Sequence, residues 1–282
     1  MISRTACKQK AILVKTPRSP DDSAPSRADD ATVRSVRRAI AILRAFGPGD
    51  ASLPLGEIAR RTALDKATAL RLLRTLIGEG LVVQDSRTRD YALGLGVFSL
   101  ATGPTPADTL RHAALPLLAA AAEATGTTAY LMVPEGTDAL CIAAVTSERA
   151  AVPLVTVGER VNLHAGAAAR VLMAFLPLDA RMAALAGPLP PLSPATPTDP
   201  FQLSAQLDTI RQRGWELGID EVDPGIVSLA VPVRAPSGAV TAALGLAGPQ
   251  PEMLEGEAPR HLLRAQSTAR ELERRLAARG GA

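Results

Sequence analysis

Aromatic residues make up only 2% of this 282-residue chain: one Trp, two Tyr and four Phe. That scarcity argues against stacking of unpaired bases on aromatic platforms, the usual mode of single-strand and RNA recognition. It also means that cores must be built from Leu, Val, Ile and Ala. Cysteine is equally scarce. Cys7 and Cys141 cannot make a disulfide framework, which fits a reducing cytosol. No apolar run reaches the roughly 20 residues that a membrane span needs, and the N-terminus has no signal-peptide apolar block. The expected location is cytoplasmic, with no membrane partner. His112, His164 and His261 are the only histidines and lie far apart. No H-E-x-x-H, C-x-x-C, G-x-S-x-G or P-loop spacing occurs. The expectation is therefore no catalytic residue, no metal and no cofactor.

What the chain does have is an uneven charge distribution. The formal net charge is only +3. From Val33 to Gly96, however, eleven basic residues face six acidic ones, a net +5, whereas Val97 to Ala282 carries a net −4. Concentrated basicity in one segment is the footprint of a phosphate-binding module.

Within that basic segment, Leu55, Ile58 and Ala59 sit on one face of a short helix. Thr62 to Leu64 break the period. Asp65 can cap a second helix, in which Ala69, Leu72, Leu73, Leu76 and Ile77 form an apolar stripe. Lys66, Thr68, Arg71, Arg74 and Thr75 fall outside it, and Gly78 and Gly80 end it. This is a helix-turn-helix pattern. Two short β-prone runs follow, Leu81 to Gln84 and Tyr91 to Leu93, joined by a polar turn carrying Arg87 and Arg89. A hairpin with a basic tip directly after the second helix makes the pattern winged. Ahead of it, Ser35 can cap a supporting helix to about Phe46, with Val36, Ala39, Ile40 and Leu43 facing inward. Residues 1–32 show no sustained periodicity and read as a disordered tail.

These residues resemble the IclR-type bacterial transcriptional regulators. The match is carried by Ile58-Ala59-Arg60-Arg61-Thr62, Lys66-Ala67-Thr68, Arg71-Leu72-Leu73, Gly80-Leu81-Val82 and Tyr91-Ala92-Leu93-Gly94. It continues to about Arg275. The family usually has Gly at Ala63 and Ser at Ala67. The resemblance implies a linker helix with dimer contacts after the wing and a C-terminal GAF-like domain that binds a small effector.

The second half reads as a mostly antiparallel α+β domain. A Gly/Thr/Pro-rich junction gives the domain plan: DNA-binding 33–96, linker 97–109, effector-binding and oligomerisation 110–282. Leu110 to Ala124 is helical, with a kink or fresh start expected at Pro116. Strands are expected at Thr127–Val133, Leu140–Val145 and Pro153–Val157. The signature from Gly158 to Ala165 then leads into an apolar helix. A Pro-rich loop, an amphipathic helix from Leu203 to Arg213, further strands through Leu246 and a closing helix from Arg260 to Ala278 complete the chain.

The resemblance places the effector pocket at His164, Gly166, Ala167, Ala168, Glu221, Ile226, Ser228, Gly245 and Ala247. The family often has Cys at Ser228 and an acidic residue at Gly218. Small residues at these positions suggest a pocket roomier and less polar than in small-acid binders, suited to an organic acid with an apolar or aromatic body. The expected partners are double-stranded DNA at a palindromic operator and a small-molecule effector, bound by a homodimer or homotetramer. Two alternatives remain open on the residues alone. One is an architectural DNA binder with a purely dimerising second domain. The other is a DNA-tethered hydrolase using Ser228 or His164.

Overall fold

The computed structural model describes residues 33–47, 49–101, 106–150 and 154–279. The expected tail 1–32 lies outside them, as do Thr102 to Thr105 of the junction. The chain divides into two compact units, the first up to residue 104 and the second from 105.

In the first unit, α1 (Arg34–Arg44), α2 (Leu55–Thr62) and α3 (Lys66–Gly78) pack around Ile42, Ile58, Leu73 and Leu76. The hairpin β1 (Val82–Gln84) and β2 (Tyr91–Leu93) follows directly. Leu53 pairs with Tyr91 as a third strand of one residue, through N–H···O bonds of 2.8 and 2.9 Å. This is a winged helix-turn-helix. Two details differ from the sequence reading. Ser35 lies inside α1 rather than capping it; the N-cap is Val33, with no side-chain bond. The buried residue of α1 is Ile42, while Val36 and Ile40 are exposed. The helix is apolar on more than one side, so periodicity alone could not choose the inner face. Ile77 likewise lies at the exposed edge of α3.

Helix α4 (Leu95–Ala101) follows the wing, so the expected linker residues 97–101 are helical. The second unit opens with α5 (Pro106–Thr125), one helix that continues past Pro116 rather than restarting there. Pro116 is exposed, so the carbonyl it leaves without a donor is on the solvent side. Next come β3 (Thr128–Glu135), β4 (Asp138–Thr146) and β5 (Arg160–Asn162). The expected strand at Pro153–Val157 does not form over its described residues, Leu154–Val157. Helices α6 (Ala167–Phe175), α7 (Leu178–Ala186) and α8 (Pro200–Arg213) lead to β6 (Glu216–Ile219), β7 (Ile226–Arg234) and β8 (Val240–Pro249). After α9 (Gln250–Met253) and the small hairpin β9 (Leu254–Glu255) and β10 (Ala258–Pro259), α10 (Leu262–Arg279) closes the chain.

The main sheet is antiparallel, in the order β5-β4-β3-β8-β7-β6. Side chains alternate across it, as strand geometry requires. Ala129, Leu131, Val227, Leu229, Val231, Leu244 and Leu246 pack on α5 and α10. Tyr130, Met132, Cys141, Ala230, Ala243 and Ala247 face α6 and α8. Helices thus cover both faces of a GAF-like sheet. The Ala-rich α6 is buried from Ala167 to Ala174, and small side chains let it lie close to the strands.

Candidate functional site

In the first unit, the turn between α2 and α3 sets the direction of the second helix. Ala63 takes a left-handed conformation, φ 52° and ψ 33°. Asp65 then accepts a hydrogen bond from the Thr68 N–H at 2.8 Å, which also holds its carboxyl below the usual range. With Leu73 and Leu76 turned inward, Lys66, Arg71, Arg74 and Thr75 are exposed on α3 and Thr68 is half-buried. The wing tip is ordered by Asp85, whose Oδ1 accepts the N–H groups of Arg87 at 2.7 Å and Thr88 at 2.8 Å. Gln84 donates to the Arg89 carbonyl at 2.9 Å. Arg87 and Arg89 both remain exposed.

Other arginines are engaged within the unit. Arg61 donates to Glu57 at 2.7 Å and to the Ala45 carbonyl at 2.9 Å, and pairs with Asp50. Arg60 also pairs with Glu57. Together Arg60 and Arg61 hold the Glu57 carboxyl down to about 2. Arg61 therefore fastens α2 to the end of α1.

In the second unit, sheet register brings small residues into one row: Gly218 beside Ser228, Ser228 beside Ala247, and Ala247 beside Thr128. The N-terminus of α6 lies over this furrow. The Ser228 hydroxyl accepts the Ala167 N–H at 3.2 Å, and Glu221 accepts the Gly166 N–H at 3.0 Å. The result is a small, partly open cavity of about 60 Å³. One water needs only about 10–15 Å³ of such space, so there is room for a compact molecule. Tyr130, Met132, Leu154, Val155, Val161 and Ile226 supply apolar wall, and Glu159, Glu221, Asp223 and Ser228 supply polar groups.

Six of the nine expected pocket residues line this cavity: Gly166, Ala168, Glu221, Ile226, Ser228 and Ala247. Ala167 borders it through its N–H. His164 is buried and its Nε2 bonds the Pro190 carbonyl at 3.0 Å. Gly245 does not enlarge the pocket. It pairs with Tyr130 across the strands, and a Cβ there would overlap the Tyr130 ring. The phenol takes the space that glycine leaves and brings its hydroxyl beside Ser228. Gly218 works similarly: a Cβ would stand 2.8 Å from Ser228 Oγ and 3.0 Å from Glu221 Oε2. Tyr130 and Glu159 were missed in the sequence. Period-two alternation on β3 could have put Tyr130 on the inner face; Glu159 falls within the Gly158–Ala165 signature, which does not reveal that its side chain reaches the cavity.

Behind the cavity lies a buried charge cluster. Arg170 is fully buried and bonds Glu216 at 3.0 Å, the Leu217 carbonyl at 2.8 Å, and Glu221. Glu216 also receives Gln206 at 2.8 Å and pairs with Arg213. Burial pushes the Glu221 carboxyl up against the pull of Arg170. Removing one member of a buried pair typically costs about 3–5 kcal/mol, because the other charge is left uncompensated. Arg170 therefore holds Glu221 against α6. The Pro-rich stretch after α7 adds to this: Ser193 donates to the Asp220 carbonyl at 2.5 Å and Thr196 to the Glu221 carbonyl at 2.6 Å. That stretch is thus partly buried rather than a free surface loop.

A winged helix-turn-helix in one unit and a pocket in a GAF-like domain in the other define a ligand-responsive DNA-binding regulator. Family comparison agrees in both halves. Residues 35–86 match the IclR helix-turn-helix domain, and residues 106–274 match the bacterial transcriptional regulator IclR C-terminal domain. The chain belongs to the IclR family of bacterial transcriptional regulators. It is 32% identical over 227 residues to the glycerol operon regulatory protein of Streptomyces griseus, covering 80% of this chain and 89% of that one. It is 31% identical over 215 residues to the Pca regulon regulatory protein of Pseudomonas putida, covering 75% and 73%. Among solved structures, an IclR homolog from Microbacterium hydrocarbonoxydans complexed with 4-hydroxybenzoate aligns with TM-score 0.75 and 25% identity, covering 86% of this chain and 99% of that one. The protein is a transcriptional regulator with an effector-binding domain, not an enzyme.

Proposed function

We propose that this regulator binds a palindromic operator as a homodimer or homotetramer in the cytoplasm, and that an organic acid entering the cavity beside α6 changes its DNA affinity. Residues 33–96 bind DNA, 97–109 form a linker whose first residues are helical, and 110–282 bind the effector and oligomerise. On α3, Thr68 and Arg71 reach base edges in the major groove. One bidentate Arg–guanine contact is worth about 1–3 kcal/mol of discrimination. Lys66, Arg74, Thr75, Arg87 and Arg89 meet phosphates, adding affinity and salt dependence rather than sequence choice. The effector contacts Gly166, Ala167, Ala168, Glu221, Ile226, Ser228 and Ala247. His164 supports the loop, and Gly245 admits Tyr130.

The observation that carries this reading is the cavity beside α6, walled by apolar side chains and reached by a few convergent polar groups. Such a site is the usual form of a small-molecule pocket. The 4-hydroxybenzoate complex of the Microbacterium relative supports an acid with an aromatic body. A ligand acts only through its different affinity for the two DNA-binding states. A melting-temperature screen of small organic acids, 4-hydroxybenzoate among them, tests it. At least one is expected to raise the melting temperature and change operator affinity. No shift from any compound, with DNA binding intact, would favour a purely dimerising second domain.

A further inference from the structure

We infer that the pocket takes its organic acid together with one proton, as the uncharged carboxylic acid, because the described residues that line it offer carboxyl groups and no cation. This rests on the pocket reading above. The groups around the cavity come from every element that walls it. Glu159 enters from the turn before β5, Glu221 and Asp223 from the loop between β6 and β7, and the Tyr130 phenol from β3. Among the described residues, no Lys, Arg or His lines it. Arg170, the guanidinium paired with Glu221, is fully buried and also bonds Glu216. The His164 ring bonds the Pro190 carbonyl, and the Cys141 thiol is buried beyond Tyr130 with its own acceptor, the Ala143 carbonyl.

A helix N-terminus would ordinarily favour an anion. Here the first two N–H groups of that seat are held from within the chain. Glu221 holds the Gly166 N–H, Ser228 holds the Ala167 N–H, and Gly218 leaves room for both. An incoming carboxylate would therefore add a negative charge beside Glu159 and Glu221 in a partly desolvated space. Like charges at such spacing disfavour joint ionisation. Burial already pushes the Glu159 carboxyl up, with Asp223 adding to the effect. A single proton shared between the ligand carboxyl and one of these side chains removes the repulsion and forms a carboxyl–carboxylate hydrogen bond.

The test is calorimetric titration of the full-length protein with benzoate, benzamide and benzylamine, between pH 6 and 8. Two buffers of different ionisation enthalpy at each pH give the proton count. The expected result is uptake approaching one proton per benzoate at pH 8, and benzoate affinity falling about tenfold from pH 7 to 8. Benzamide, which needs no proton, should bind with affinity flat across the range. Benzoate binding with no proton uptake and no pH slope would overturn the inference while leaving the organic-acid reading intact. Benzylamine binding in place of benzoate, or no binding of any of the three, would overturn both.

Discussion

Ala63, like Arg89 in the wing, holds a left-handed backbone conformation in the DNA-binding unit. It ends α2 at φ 52°, a conformation that costs an L-residue about 1–2 kcal/mol. Glycine escapes that cost but loses about 0.4–1 kcal/mol through a freer unfolded chain. Ala63→Gly should therefore stabilise the helix-turn-helix by about 0.5–1 kcal/mol, read by urea unfolding. No gain would mean that the neighbouring helices relax around the alanine. Local residues such as Asp65 were legible in the sequence, because a cap acts within three positions of itself. Tyr130 and Glu159 were not. Each reaches the cavity only when β3 pairs with β8 and the segment before β5 folds back, and no local pattern records that approach. Gly245 misled for the same reason: the missing side chain was readable, the phenol that replaces it was not.

Two helices of the first unit present apolar side chains outward. Val33, Val36 and Ile40 lie exposed at or on α1, and Leu95, Phe98 and Leu100 on α4. Exposed apolar clusters of this kind mark interaction surfaces, and the proposed homodimer would cover them. Phe98→Glu should shift the protein toward monomer in sedimentation velocity and weaken operator binding, while leaving the thermal unfolding of each unit unchanged. An unaltered oligomer would exclude α4 from the interface. Helix existence was readable for α1, α2, α3, α5, α6, α8 and α10, because each has a long or well-punctuated pattern. Which face of α1 turns inward was not, since apolar residues occupy both sides. The continuous α5 shows the converse: the local cost of Pro116 is outweighed by the burial of Ala113, Ala114 and Leu118 on the sheet.

At the scale of the whole molecule, charge and chemistry are divided between two units. The basic segment carries the helix-turn-helix, and the mildly acidic remainder carries the pocket. That division was readable from the sequence because it depends on composition along the chain rather than on contacts. The order of the six strands was not, since it joins β3 to β8 across more than a hundred residues. The central claim is sequence-specific DNA binding through α3. Its most direct test is selection of genomic DNA fragments by the purified protein and by its Arg71→Ala variant, followed by sequencing of the retained DNA. The account predicts enrichment of one palindromic site by the wild type and loss of that preference, with the fold retained, in the variant. Salt-sensitive retention without any preferred sequence, or a preference unchanged by the substitution, would contradict it.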